Sequence, residues 1–237
     1  MPGRLARILT ASLRLLPTSA TAMGTPNSPP VYSLTRLKRW SWTDHELPPV
    51  ERIKAIHVYD FDNTLFASPL PNRDIWHGSA IGKLSSPDAL AGGGWWHCSA
   101  FLAATGRGAV VEEKHAWQGW WNEQMVKLVR MSADQKEALS VMLTGRAEPE
   151  FARLIRRMTQ SKGLDFDMFC LKPGVGPLGQ NFNSTIDFKV TLLKDIMCTY
   201  KNADEIRVYE DRQRQCVYGR SQCCSSTYHP SALTSAC

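Results

Sequence analysis

Asp60 and Asp62 stand one residue apart, directly after the apolar-rich run Ile53-Lys54-Ala55-Ile56-His57-Val58-Tyr59. A strand over about 54–60 delivers both acids to its carboxyl end, where open α/β sheets bind their ligands. Paired carboxylates in that position point to a catalyst. Two further sets of reactive side chains follow apolar runs in the same manner. Thr144-Gly145-Arg146 comes after residues 138–143, and Glu210-Asp211 comes after residues 205–209. Taken singly, each has an ordinary explanation. Asp62-Asn63-Thr64 reads as turn and cap chemistry, Thr144-Gly145 as a strand exit, Lys189 as a solvated helix residue and Glu210-Asp211 as a surface turn. Their joint occurrence at the ends of successive strands makes coincidence a poor account.

The elements that must position these residues alternate as βαβ units between about 51 and 210. After the strands over 54–60 and 138–143, a helix is predicted over about 149–160. Pro149 lies in its first turn, Phe151, Leu154, Ile155 and Met158 share one face, and Gly163 lies just past its end. A third strand spans 166–171 and stops at Lys172-Pro173. Ser184 or Thr185 then caps a helix that runs to about Tyr200 with Phe188, Leu192, Leu193, Ile196 and Met197 inward. Residues 205–209 form the fourth strand. This order predicts an α/β fold, a parallel sheet with helices on both faces.

The first and second strands are separated by an insertion of about 66–137 that holds Trp76, Trp95, Trp96, Trp117, Trp120 and Trp121, six of the eight tryptophans. Trp117, Trp120 and Trp121 sit at helical spacing with Met125, Leu128 and Val129. That pattern predicts the core face of an amphipathic helix more readily than a platform for stacking bases. Gly92-Gly93-Gly94-Trp95-Trp96-His97 is open to two readings: a loop whose flat rings line a substrate entrance, or a tight turn whose rings pack.

The formal charge of +6 belongs to the amino-terminal segment. Residues 1–43 carry six cations and no acid, which leaves 22 cations against 22 acids for 44–237. The catalytic region therefore lacks the general basic footprint of a protein that tracks a phosphate backbone. Residues 1–43, with Leu5, Ile8, Leu9, Leu13 and Leu16 near helical spacing, read as a mitochondrial transit peptide or as a basic disordered tail. No run reaches the roughly 18 apolar residues needed to span a bilayer. Cys216, Cys223, Cys224 and Cys237 fit no zinc spacing, so the seven cysteines read as free thiols of a reducing, intracellular compartment, mitochondrial if the segment is a transit peptide and otherwise cytoplasmic or nuclear. The resulting division is a basic segment 1–43, a catalytic domain 44–216 with its insertion at about 66–137, and an irregular Cys/Ser-rich tail 217–237.

The ordered set of motifs resembles the haloacid dehalogenase (HAD) superfamily of phosphatases. More closely, Asp60-Phe61-Asp62-Asn63-Thr64-Leu65-Phe66, Pro69 to Trp76, Gly93 to His97, Leu143-Thr144-Gly145-Arg146, Ser184-Thr185 with Phe188-Lys189, and Tyr209-Glu210-Asp211-Arg212 look like the Swiss Army Knife RNA repair-like HAD domain. The resemblance covers about 52–212 and implies a HAD-like Rossmannoid sheet. It implies that Asp60 is the nucleophile of an aspartyl-phosphate intermediate, with Asp62 as general acid and then general base. Thr144 and Lys189 would stabilise the phosphoryl group, and Thr64, Gly145 and Arg146 would meet the substrate. Mg²⁺ would be held by Asp60, the backbone carbonyl of Asp62, Glu210 and Asp211. The implied partner is a phosphorylated substrate, with RNA ends as the family name suggests. A departure follows Arg212, where Gln213-Arg214-Gln215 replace the Pro and His of relatives, and beyond Cys216 the resemblance fades. Two alternatives stand beside the phosphomonoesterase: a catalytically weak HAD-fold module that binds RNA or a protein partner, and a small-metabolite phosphatase.

Overall fold

The computed structural model describes residues 9–14, 31–89, 93–105 and 107–211. Its strands are β1 (Leu9–Arg14), β2 (Ala55–Asp60), β3 (Ala138–Ala147), β4 (Met168–Lys172) and β5 (Glu205–Glu210). The helices are α1 (Leu34–Lys38), α2 (Gly78–Leu84), α3 (Ser99–Ala103), α4 (Ala109–Lys114), α5 (Glu123–Ala133), α6 (Glu148–Ser161) and α7 (Thr185–Thr199). The sheet order is β1-β5-β2-β3-β4, and every pairing among β2 to β5 is parallel. This is the expected α/β sheet of the HAD-like Rossmannoid type, with one antiparallel strand added at its edge.

Parallel strands covered on both faces are apolar along nearly their whole length, because alternate residues feed two separate cores. Ile56, Val58, Leu139, Val141, Leu143 and Ile206 pack on α1 and α7 with Phe188, Leu192 and Ile196. Tyr59, Met142 and Tyr209 face the other way, toward Met125, Val126 and Val129 of α5 and Phe151, Ile155 and Met158 of α6. The helix ends obey capping rules. Ser184 accepts the Asp187 N–H at 3.1 Å, which starts α7, and Gly163, at φ 67°, carries the chain out of α6.

Two sequence expectations are corrected here. Residues 1–43 are not one disordered basic segment, since α1 lies inside it with Leu37 and Trp40 buried in the core under α7. The basic residues that hid this are themselves engaged: Arg36 is paired with Asp195 at 2.7 Å, and Trp40 Nε1 donates to the same carboxylate at 2.9 Å. Leu9–Arg14 is extended and pairs antiparallel with β5, which satisfies backbone groups that a bare sheet edge would expose. Leu37→Ala is accordingly expected to destabilise the protein by about 2–5 kcal/mol in urea unfolding, the range for a fully buried leucine and not for a tail residue.

The second correction concerns the tryptophans. Trp117 and Trp121 are buried core residues as expected, but no helix runs through them. Ala116 and Trp117 adopt φ of 50° and 49°, which breaks the helix after α4, and Asn122 then caps α5. The apolar spacing of a helix and of a tight turn folded onto one core coincide over five residues. The expected tail 217–237 lies outside the described residues.

Candidate active site

Residues of β2 alternate between the two cores, and Asp60 shares its phase with Ile56 and Val58, so it meets the sheet face covered by α7. Glu210 shares the phase of Ile206 and Val208 on the neighbouring strand and meets the same face. On α7, Lys189 follows the buried Phe188, and its stem is drawn into the core. The three side chains converge. Lys189 Nζ donates to Asp60 Oδ1 at 2.6 Å and to Glu210 Oε2 at 2.7 Å, with all three buried. Beside them lies a small cavity walled by Val58, Leu143, Ile186, Val190, Leu193 and Val208.

Those apolar walls set the electrostatics. Burial pushes the Asp60 carboxyl up to about 7; the Lys189 ammonium opposes the shift, while Glu210 and Asp62 add to it. Burial works against the Lys189 ammonium as well, but the two carboxylates outweigh it and hold its pKa above the ordinary lysine value. Oδ2 of Asp60 is buried and has no hydrogen-bond partner among the described residues.

Asp62, delivered to the same strand end as Asp60, has a different set of partners. The strand ends at Asp60, and residues 61–66 form a tight turn closed by Phe66 N–H to Phe61 O at 2.9 Å, with Asn63 at φ 59°. The two-residue alternation of the strand therefore ends at Asp60, and the turn decides which groups surround Asp62. Asp62 Oδ1 accepts from Ser68 Oγ at 2.6 Å and from Arg146 Nη2 at 2.8 Å, and Oδ2 accepts from Thr144 Oγ1 at 3.0 Å.

The partner strand explains how Arg146 reaches it. Thr144 pairs with Leu171 and Ala147 with Lys172, so two extra residues bulge out of β3 between them. A bulge re-aims side chains, here turning Arg146 inward. Gly145 occupies the bulge where a Cβ would stand 2.2 Å from Thr185 Cγ2, so only glycine fits there. Thr144 and Arg146, expected to face substrate, instead spend their polar groups on Asp62, and Arg146 is 1% exposed. Thr64 is buried in the turn, with an Oγ1 that has no hydrogen-bond partner among the described residues.

Carboxylate oxygens of Asp60, Glu210 and Asp211 lie within 4.8 Å of one another. Three hard oxygen donors at that spacing, beside a buried Asp60 oxygen with no hydrogen-bond partner among the described residues, are the donor type that a small divalent cation takes. The side chain of Asp62 is outside this cluster. Sequence reasoning missed Ser68, which carries no motif signal, and left Trp96 open between an entrance loop and a packed turn; its backbone O accepts from Arg146 Nη1 at 2.8 Å and its ring lies 3.9 Å from the guanidinium. The Gly-Gly-Trp-Trp loop is thus a tight turn with a ring packed against the site. Among the described residues, no helix is long and apolar enough to cross a membrane.

Compared with known families, residues 68–229 match HAD domain family 1 in Swiss Army Knife RNA repair proteins. The match continues past Cys216, where the resemblance was expected to fade. The chain is also 31% identical over 193 residues to an uncharacterized protein of Saccharomyces cerevisiae, covering 76% of this chain and 40% of that relative. The chain thus spans well under half the length of this curated relative. No solved structure matches the chain.

Proposed function

The chain belongs to HAD domain family 1 of the Swiss Army Knife RNA repair proteins, and from that premise we propose that it is a Mg²⁺-dependent phosphomonoesterase that acts on terminal phosphates of RNA. The observation that carries the reading is the asymmetry of Asp60: Oδ1 is fixed by Lys189 at 2.6 Å, while the buried Oδ2 has no hydrogen-bond partner among the described residues. A carboxylate held at one oxygen presents the other as a nucleophile.

In this mechanism Asp60 Oδ2 attacks phosphorus, the ester P–O bond breaks, and Asp62 gives a proton to the departing oxygen. Water then attacks the aspartyl-phosphate, Asp62 takes its proton, and phosphate leaves with Asp60 regenerated. Lys189 offsets charge on Asp60 and the transferring group, and backbone N–H groups around Thr144-Gly145 donate to phosphoryl oxygens. Asp60, Glu210 and Asp211 would hold Mg²⁺, which when bound supplies positive charge against the repulsion between carboxylate and phosphate.

The test is a comparison of kcat/KM, with Mg²⁺ present, across 3′- and 5′-phosphorylated oligoribonucleotides and small phosphoesters. Preference for RNA ends supports the full reading, preference for a small ester corrects the substrate class, and no release from any of them overturns the enzyme. Metal binding is checked separately from turnover. At about 100 times its Kd, Mg²⁺ is expected to stabilise the protein by about 2.7 kcal/mol. Glu210→Gln with Asp211→Asn is expected to remove that shift in thermal melts.

A further inference from the structure

We infer that Trp96 is a positioning residue for Asp62, acting through Arg146, so that residues 93–97 form part of the acid–base apparatus; the role given to Asp62 rests on the phosphatase reading above. Arg146 is a long, flexible side chain on a bulge, and such a side chain holds one orientation only if its surroundings enforce it. Here each guanidinium nitrogen has a partner. Nε lies 3.1 and 3.3 Å from the two oxygens of Asp62, Nη2 lies 2.8 Å from Oδ1, and Nη1 lies 2.8 Å from the carbonyl oxygen of Trp96. The rings of Trp96 and Phe151 lie 3.9 and 4.8 Å from the guanidinium carbon. Phe151 comes from helix α6, whereas Trp96 comes from a loop in the insertion.

That loop is built to place Trp96. Gly94 N–H donates to Ser86 O at 2.8 Å, and Trp95 N–H donates to Leu84 O at 2.9 Å. A Cβ on Gly94 would stand 2.0 Å from Leu84 O, and Gly93 adopts φ 80°. Two glycines are therefore required to bring the backbone against the end of α2 and set the next rings over the site. This explains a sequence feature that the catalytic motifs leave unused. Ser68 and Thr144 fix Asp62 with neutral hydroxyls, and Arg146 is the charged partner whose direction Trp96 controls.

A proton donor matters in proportion to the basicity of the leaving oxygen, so misplacing Asp62 harms poor leaving groups more than good ones. Loss of general structure harms both alike. Trp96→Leu keeps bulk without the ring, and Trp96→Phe keeps a ring. Because Trp96 is half-buried at the edge of the domain, both substitutions leave the two cores in place. With Mg²⁺ present, Trp96→Leu is expected to lose about tenfold more kcat on phenyl phosphate than on 2,4-dinitrophenyl phosphate, and Trp96→Phe to recover most of the difference. Equal losses on the two esters would overturn the positioning role.

A second readout is independent of turnover. The Nε–H resonance of Arg146, assigned by its disappearance in Arg146→Lys, should persist in Trp96→Phe and be lost to exchange in Trp96→Leu. Persistence in Trp96→Leu overturns the inference. If the native protein turns over neither ester while the resonance still depends on Trp96, the phosphatase reading fails and the link from Trp96 through Arg146 to Asp62 stands.

Discussion

Asp60→Asn is expected to lower phosphate release by at least about 10⁴-fold, because it removes the attacking oxygen and no neighbour replaces it. The substitution keeps size and shape, and the amide oxygen can still accept from Lys189, so the fold is expected to survive. Indeed the metal-free variant should be as stable as the native protein or more so. The native carboxyl is pushed up to about 7 by burial, which means that ionising it inside the apolar site is unfavourable even with Lys189 beside it. An asparagine has no charge to bury. The pairing of lost turnover with retained stability separates a nucleophile from a structural acid. Parallel phosphate-release assays and thermal melts, both run with and without Mg²⁺, check it. Turnover by Asp60→Asn within tenfold of the native rate would rule out the covalent route.

The sheet was legible because β2 to β5 are fully covered, and such strands announce themselves as apolar runs bounded by polar residues. The convergence of Asp60, Lys189 and Glu210 was legible for the same reason. Two residues are delivered by strand ends and the third by a helix whose cap at Ser184 and inward face fix its rotation. What stayed hidden is irregular backbone that interrupts the period of a strand. The turn over 61–66 gives Asp62 partners that Asp60 does not share, and the bulge at Gly145-Arg146 turns a side chain inward. Neither leaves a period in the sequence: the turn is closed by bonds within residues 60–66, the bulge is defined only against β4, and the fold alone brings Asp62 to Arg146, 84 positions away. The amino-terminal helix was masked differently. Composition flagged its cations, and only the tertiary fold shows that Arg36 neutralises a buried carboxylate and that Leu37 and Trp40 complete a core.

Lys189→Met is expected to be the most destabilising single change at the site, by about 3–5 kcal/mol near neutral pH in the absence of Mg²⁺. Methionine fills much the same volume, so the loss is electrostatic. Asp60 and Glu210, with side chains only 4% and 2% exposed, would face each other with no ammonium between them. The sign of the pH dependence follows from Asp60. Its folded pKa, about 7, exceeds the ordinary carboxyl value near 3.8, so the folded state retains a proton that the unfolded chain gives up. Stability of the metal-free native protein therefore falls as pH rises from about 4 toward 7. Removing Lys189 removes the main influence opposing that shift, so the variant should keep losing stability above 7, where the native protein has levelled off. Glu210→Gln in the Lys189→Met background takes away one of the two facing charges and is expected to restore more than half of the loss, although Glu210→Gln alone restores nothing. Urea unfolding of the four proteins at pH 5 and pH 8 checks the cycle. A Lys189→Met variant equally destabilised at both pH values, with no recovery in the double variant, would show that Lys189 acts here by packing its stem and not by its charge.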